Sequence, residues 1–186
     1  MQYGDFFYPM PANEPVLNYA TGSPEKLALK KMLKQLKSEV ADIPLYIGSE
    51  EVRTGKKTPM RPPHEHKHLL GNFHNGDASH VKQAIDAALQ AKEKWAGMAW
   101  ENRANIFLKA ADLLATNYRA SVVATTMLGQ SKNPYQAEID AACDLLDFLR
   151  VNVHFLSEIY RQTPVSGSGR DKRMESRQLG GLLLAV

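Results

Sequence analysis

Gln136-Ala137-Glu138-Ile139-Asp140-Ala141-Ala142-Cys143-Asp144-Leu145-Leu146-Asp147-Phe148-Leu149 opens the most regular stretch of the chain. Carried on to Tyr160, it sets Ile139, Ala142, Leu146, Leu149, Val153, Leu156 and Tyr160 at alternating intervals of three and four residues. That is the spacing of one face of an α-helix, and it predicts a helix of about six turns lying across a core or a subunit partner. Upstream, almost everything from Asp77 onward also reads as helix. Breaks near Gly97, near Ala120 and from Gly129 to Pro134 give four helical segments between residues 77 and 161.

The layer starts at the turn Asn75-Gly76-Asp77, with Asp77 or Ser79 as cap. Residues 45–76 read as a β-hairpin unit. Leu45-Tyr46-Ile47, Gly48 and Glu51-Val52-Arg53-Thr54 are short extended pieces, and a longer extended stretch runs from Thr58 to about Phe73. Residues 1–44 form an N-terminal arm and a first helix. Ser23-Pro24-Glu25 supplies a cap, a proline suited to the first helical position and a carboxylate at the positive dipole end. Leu29, Leu33, Leu36 and Val40 form its apolar stripe, Lys30, Lys31, Lys34 and Lys37 its solvated face, and Ile43-Pro44 its stop.

Downstream, residues 162–186 read as a connector followed by strands. Thr163 to Arg170 is a Pro/Ser/Gly linker, and Arg173-Met-Glu-Ser-Arg177 is polar and extended. Gly180-Gly181-Leu-Leu-Leu-Ala-Val186 looks like a parallel strand covered on both faces, which calls for sheet neighbours from further chain. The expectation is therefore the front portion of a larger enzyme, without that enzyme's reaction centre.

Composition narrows the class. Of the 186 residues, 44% are apolar and 23% charged, enough for a globular core. A net charge of +3 lacks the basic excess of a nucleic-acid binder. No apolar run reaches the ~18 residues that cross a bilayer, and Met1 to Pro9 resembles neither an export signal nor a transit peptide. These features predict a soluble, cytoplasmic protein.

Few clusters suggest chemistry. His64, His66 and His68 would project from one face of a strand and could ligate zinc, but Pro62-Pro63 and the turn-like surroundings favour a solvated hairpin tip. Cys143 has no His three or four residues away to take its proton, so it reads as a buried packing residue. His154 is read as a core or surface histidine, and Trp95 and Trp100 as core anchors beside a helix break. Glu138/Asp140 and Asp144/Asp147 are paired carboxylates, with Asp144 facing solvent. Gly167-Ser-Gly169 and Gly180-Gly181 are not phosphate loops, because no helix follows as such a loop requires.

Five blocks occur in order: Asn13-Glu-Pro-Val16; Gly22-Ser-Pro-Glu25; Ile43-Pro44 with Gly48 to Val52; Phe107-Leu-Lys-Ala-Ala-Asp112; and Gln136-Ala-Glu-Ile-Asp-Ala-Ala142 with Asp147-Phe148. Together they resemble the N-terminal part of the 1-pyrroline-5-carboxylate dehydrogenases, a family within the aldehyde dehydrogenase superfamily. The resemblance implies an α/β, aldehyde-dehydrogenase-like fold. This segment would be mainly α-helical, with a small β unit and the start of a Rossmann-like sheet.

For the complete enzyme, the resemblance implies NAD-dependent oxidation of L-glutamate γ-semialdehyde to glutamate through a cysteine thioester. It also implies a small-molecule substrate and a homo-oligomer, with no nucleic-acid or membrane partner. The catalytic cysteine, the catalytic glutamate and the Ser-Pro-Phe-Asn cofactor turn all belong beyond Val186. No catalytic, cofactor-binding or metal residue is therefore expected in this chain. Glu138 matches a glutamate near the mouth of the aldehyde pocket and is the candidate substrate-binding residue; its other reading is a surface or helix-stabilising carboxylate. His-Glu-His-Lys-His stands where relatives carry an Asn-rich turn. A different class, a helical interaction module without enzymatic activity, is the alternative reading.

Overall fold

The computed structural model describes residues 7–162, 164, 165, 167–170 and 172. The strand expected at Leu182 to Val186 and the polar stretch at Arg173 to Arg177 lie outside the described residues. An extended arm from Phe7 leads to α1 (Pro24–Ser38), and five short strands follow: β1 (Ala41–Ile43), β2 (Leu45–Ile47), β3 (Glu50–Val52), β4 (Lys57–Met60) and β5 (Gly71–His74). Then come α2 (Ala78–Gly97), α3 (Trp100–Ala115), α4 (Arg119–Gln130) and α5 (Pro134–Ala137). A π-helical segment (Glu138–Asp144) joins α5 to α6 (Leu145–Arg161). The four expected helical segments are present, the last running unbroken from Pro134 to Arg161.

The first helix starts as its sequence dictates. Ser23 accepts a hydrogen bond from the Lys26 N–H, and Pro24 occupies the first turn. It stops two residues before Val40, because Glu39 is already extended at φ −114° and ψ 147°. Val40 therefore leaves the apolar stripe and stands exposed. The residues that follow form β1, where the sequence predicts only a helix stop. Pro44 biases Ile43 toward extended geometry, and β1 pairs parallel with β5, giving the sheet order β1-β5-β4.

The register sets Ala41 opposite Gly71. A Cβ at residue 71 would lie 2.5 Å from the Ala41 carbonyl oxygen, so the close approach of these strands requires glycine there. The β2–β3 hairpin turns at Gly48 with φ +62°. The extended stretch expected from Thr58 to Phe73 is interrupted. Glu65 N–H bonds the Pro62 carbonyl and His68 N–H bonds the Glu65 carbonyl, two successive turns between β4 and β5.

Asp77 caps α2, accepting from the N–H groups of Ser79 and His80. Helix α1 packs on α4, and α3 packs on α6. The core cluster is Tyr19, Leu29, Val123, Ala124, Ala137 and Ala142, with Leu33, Leu36 and Met127 packed against it. Leu146 and Val153 on α6 are buried, while Leu145, Phe148, Phe155 and Ile159 on its other side remain exposed.

The expected uninterrupted α-helix from Ile139 differs in its first turns. In the π-helical segment, residues five apart come into line. Glu138 and Cys143 accordingly share the inner face, with Cys143 Sγ 3.9 Å from Glu138 Oε1.

Candidate functional site

The site is a buried charge network that fastens the N-terminal arm to the helical layer. Arg119 begins α4, where a cation gains nothing from the helix dipole. Its guanidinium is satisfied by side chains and backbone instead. It donates through Nε to Glu138 Oε1 at 3.2 Å, through Nη2 to the same oxygen and to the Pro15 carbonyl at 2.8 Å, and through Nη1 to Glu14 Oε1. Arg150 on α6 donates to the other Glu14 oxygen at 2.5 Å. The Glu14 N–H donates to Asp147 Oδ1 at 2.7 Å.

Glu138 has no exposure to solvent. Besides Arg119, its carboxylate accepts from the Leu17 N–H at 2.9 Å and from the Tyr19 hydroxyl at 2.6 Å. A buried carboxylate is tolerable only with such complete pairing. The sequence candidate is thus the hub at which arm, α4 and the π-helical segment meet.

Electrostatics follow from this packing. Burial works against the charge on Glu14, but hydrogen bonds from Arg150 and Arg119 outweigh it and hold the carboxyl below its ordinary value. Burial pushes the Tyr19 hydroxyl well above the usual phenol range, and its bond to Glu138 adds to the effect. Burial opposes the Arg119 charge, yet Glu138 and Glu14 bind it firmly enough to raise it overall. The Cys143 thiol is raised by burial first and by Glu138 second. Its neighbours are Arg119 Nη2 at 3.8 Å and the Pro15 carbonyl at 4.0 Å, which suits a packing residue and no nucleophile.

A cleft of about 480 Å³ lies beside the network, lined by Leu17, Tyr19, Lys26, Leu29, Asn133 and Tyr135 among others. Leu17 and Tyr19 are the two arm residues that bind Glu138, so the carboxylate shapes this wall from behind.

The other sequence candidates lie apart. His64 and His66 are exposed, and His64 Nδ1 is 2.8 Å from Ser131 Oγ. Because His64 to His68 form turns, the alternation a strand triad requires is not there. Among the described residues no three His, Cys, Asp or Glu side chains are placed to hold a metal ion. His154 is buried, with Nδ1 2.7 Å from the Tyr8 carbonyl. Trp100 stacks on Tyr160 at 4.8 Å, whereas Trp95, expected as a core anchor, is 41% exposed among the described residues. Sequence reasoning missed Glu14, Arg119, Arg150 and Tyr19 as partners of Glu138. The one available signal was Glu14 itself, inside a block already singled out, but its partners lie over a hundred positions away.

The model of the aldehyde dehydrogenase family matches residues 51–183. The chain belongs to the aldehyde dehydrogenase family. Among its aldehyde dehydrogenase relatives, the delta-1-pyrroline-5-carboxylate dehydrogenase of Agaricus bisporus is 46% identical over all of this chain and 34% of its own length. The mitochondrial human enzyme of the same name is 43% identical over 94% of the chain and 31% of its own.

A crystal structure of the delta-pyrroline-5-carboxylate dehydrogenase from Mycobacterium tuberculosis superposes with a TM-score of 0.90 at 43% identity, covering 94% of this chain and 32% of that one. A structure of the same enzyme bound with NAD gives 0.87 at 44% identity, covering 91% of this chain and 32% of that one. The expected resemblance and the α/β aldehyde-dehydrogenase fold class are thus borne out. The chain spans about a third of the length of these relatives. No helix among the described residues is long and apolar enough to cross a membrane.

Proposed function

We propose that this chain is the N-terminal portion of an NAD-dependent dehydrogenase that oxidises L-glutamate γ-semialdehyde, the open form of 1-pyrroline-5-carboxylate, to glutamate in proline catabolism, and that it has no activity alone. The carrying observation is 46% identity along the entire chain to an enzyme of that name, with a matching fold in the Mycobacterium relative. NAD would accept the hydride. At the N-termini of α1 and α2, Ser23 accepts the Lys26 N–H and Asp77 those of Ser79 and His80, so these two helix ends are not open cradles for its pyrophosphate. No step through the cofactor is therefore assigned to this chain.

Glu138 is the residue we assign to the substrate side. With its oxygens engaged by Leu17, Tyr19 and Arg119, it acts by fixing the pocket wall those arm residues form. A homo-oligomer and a cytoplasmic location complete the proposal, against the mitochondrial names of the mouse and human relatives.

The test is a chimera in which this chain replaces the matching third of the Mycobacterium enzyme, assayed for NAD reduction with pyrroline-5-carboxylate beside the chain alone. Turnover by the chimera and none by the chain is expected. A folded chimera that prefers unrelated aldehydes would sink the substrate assignment, and turnover by the chain alone would sink the claim of inactivity.

A further inference from the structure

We propose that the cleft between the arm, α1 and α4 is a binding site for a small carboxylate with an apolar body. Its volume of about 480 Å³ lies within the range of small-molecule pockets. Leu17 from the arm, Leu29 and Leu33 from α1, and Met127 from α4 give it apolar walls, and Leu29 is buried.

The polar groups lining the cleft are mostly donors. Asn18 Oδ1 accepts the Ala20 N–H, and Asn133 Oδ1 accepts the Gln136 N–H. Each carboxamide thus keeps its oxygen on the backbone and has an NH2 group without a partner among the described residues. Lys26 and Lys30 add two ammonium groups, one turn apart on the same side of α1. Neither has an acidic partner among the described residues, whereas Lys37 and Lys132, which line the neighbouring cleft, are paired with Glu65 and Asp140. The Tyr19 hydroxyl is committed to Glu138. Such a set of groups selects a head that only accepts hydrogen bonds, and an ionised carboxylate is that head.

The helix itself favours an anion here. Lys26 lies in the first turn of α1, at the positive end of the helix dipole, and four residues before the like charge of Lys30. Both placements are unfavourable, and an anion between the two ammonium groups relieves both. The nearby acids do not compete. Glu25 is held at the helix start by its own N–H and by Ser23, and the charge of Glu138, behind the wall, is met by Arg119.

Leu17 and Tyr19 line the cleft and also donate to Glu138, so a ligand bridging the arm and α1 should hold that attachment closed. The inference concerns binding by the chain itself and does not rest on the dehydrogenase reading.

The experiment uses the full 186-residue chain with octanoate as the probe, below its micellar concentration. Octanol carries the same body without the charge, and acetate the same head without the body. Calorimetry should show octanoate binding at least about tenfold more tightly than either, as a bond to a charged group implies. Methyl NMR shifts should centre on Leu17, Leu29, Leu33 and Met127, and exchange of the Leu17 N–H should slow at saturation. Lys26→Gln with Lys30→Gln should weaken octanoate about tenfold and leave octanol unchanged. Lys31→Gln with Lys34→Gln, an equal loss of charge on the same helix outside the cleft, should have little effect. Octanol binding as tightly as octanoate would overturn the proposal, and so would shifts centred on Phe148 and Phe155 of α6. Equal weakening by the two lysine pairs, or unchanged exchange at Leu17, would overturn it too.

Discussion

Arg119 Nε donates to Glu138 Oε1 across 3.2 Å, and the carboxylate it meets is sealed from solvent. Charge pairing in such a place gives little net stability, but removing one partner strands the other. Arg119→Met should therefore destabilise the chain by about 3–5 kcal/mol. Combining it with Glu138→Leu should recover much of the loss, because no buried charge remains unpaired. Urea unfolding of the two single variants and the double variant measures the coupling. Additive losses would show that the two side chains act independently.

Glu14 makes the arm's attachment depend on acid. Its carboxyl is held below the ordinary value by Arg150 and Arg119 against the opposing effect of burial. A depressed folded value means that the stabilisation is complete above the unfolded value of 4.5 and fades as pH falls through the folded one. Acid should thus loosen the arm before the helical layer unfolds. The reporter is Trp100, which Tyr8 of the arm meets edge-on at 5.9 Å. Its fluorescence should change on acidification in the native chain, with a much smaller change in Glu14→Gln, where the arm is already weakened at neutral pH.

The exposed side of α6 predicts behaviour in solution. Leu145, Phe148, Phe155 and Ile159 stand on one helix opposite the buried Leu146 and Val153. An apolar surface of that kind drives association. The chain alone should self-associate at micromolar concentration, and Phe148→Lys with Phe155→Lys should shift it toward monomer in light scattering without altering its circular dichroism. A native chain that is monomeric at high concentration would contradict this reading.

How far the sequence reveals these features depends on the range of the interaction behind each. The caps at Ser23 and Asp77 and the α6 stripe are set by residues within a turn or two, so they can be read directly. Strand β1 cannot, because its three residues are extended only by virtue of pairing with β5, some thirty positions on. The π-helical segment escapes for a related reason. Its intervals of three and four suit an α-helix, and only Arg119, brought from α4, brackets Glu138 and Cys143 on one face. Glu138 is picked out by family resemblance, yet Leu17, Tyr19 and Arg119 are too distant in sequence to be guessed as its partners.

Two glycines separate close approach from chance. At Gly71 an added Cβ would stand 2.5 Å from the Ala41 carbonyl oxygen and 2.9 Å from Ala41 Cβ, both on neighbouring strand β1, so something must shift. Gly71→Ala should cost about 1–3 kcal/mol, the range for overpacking a tight site, and should quicken amide exchange across β1. Gly129, near the end of α4, would meet nothing within 4 Å. With helical backbone and open space, Gly129→Ala should instead stabilise by about 0.5–1 kcal/mol, through the smaller entropy the unfolded chain has to lose. Thermal unfolding of the two variants compares them directly. The contact geometry demands opposite signs, and a Gly71→Ala chain as stable as the native one would mean that β1 does not lie against β5 as described.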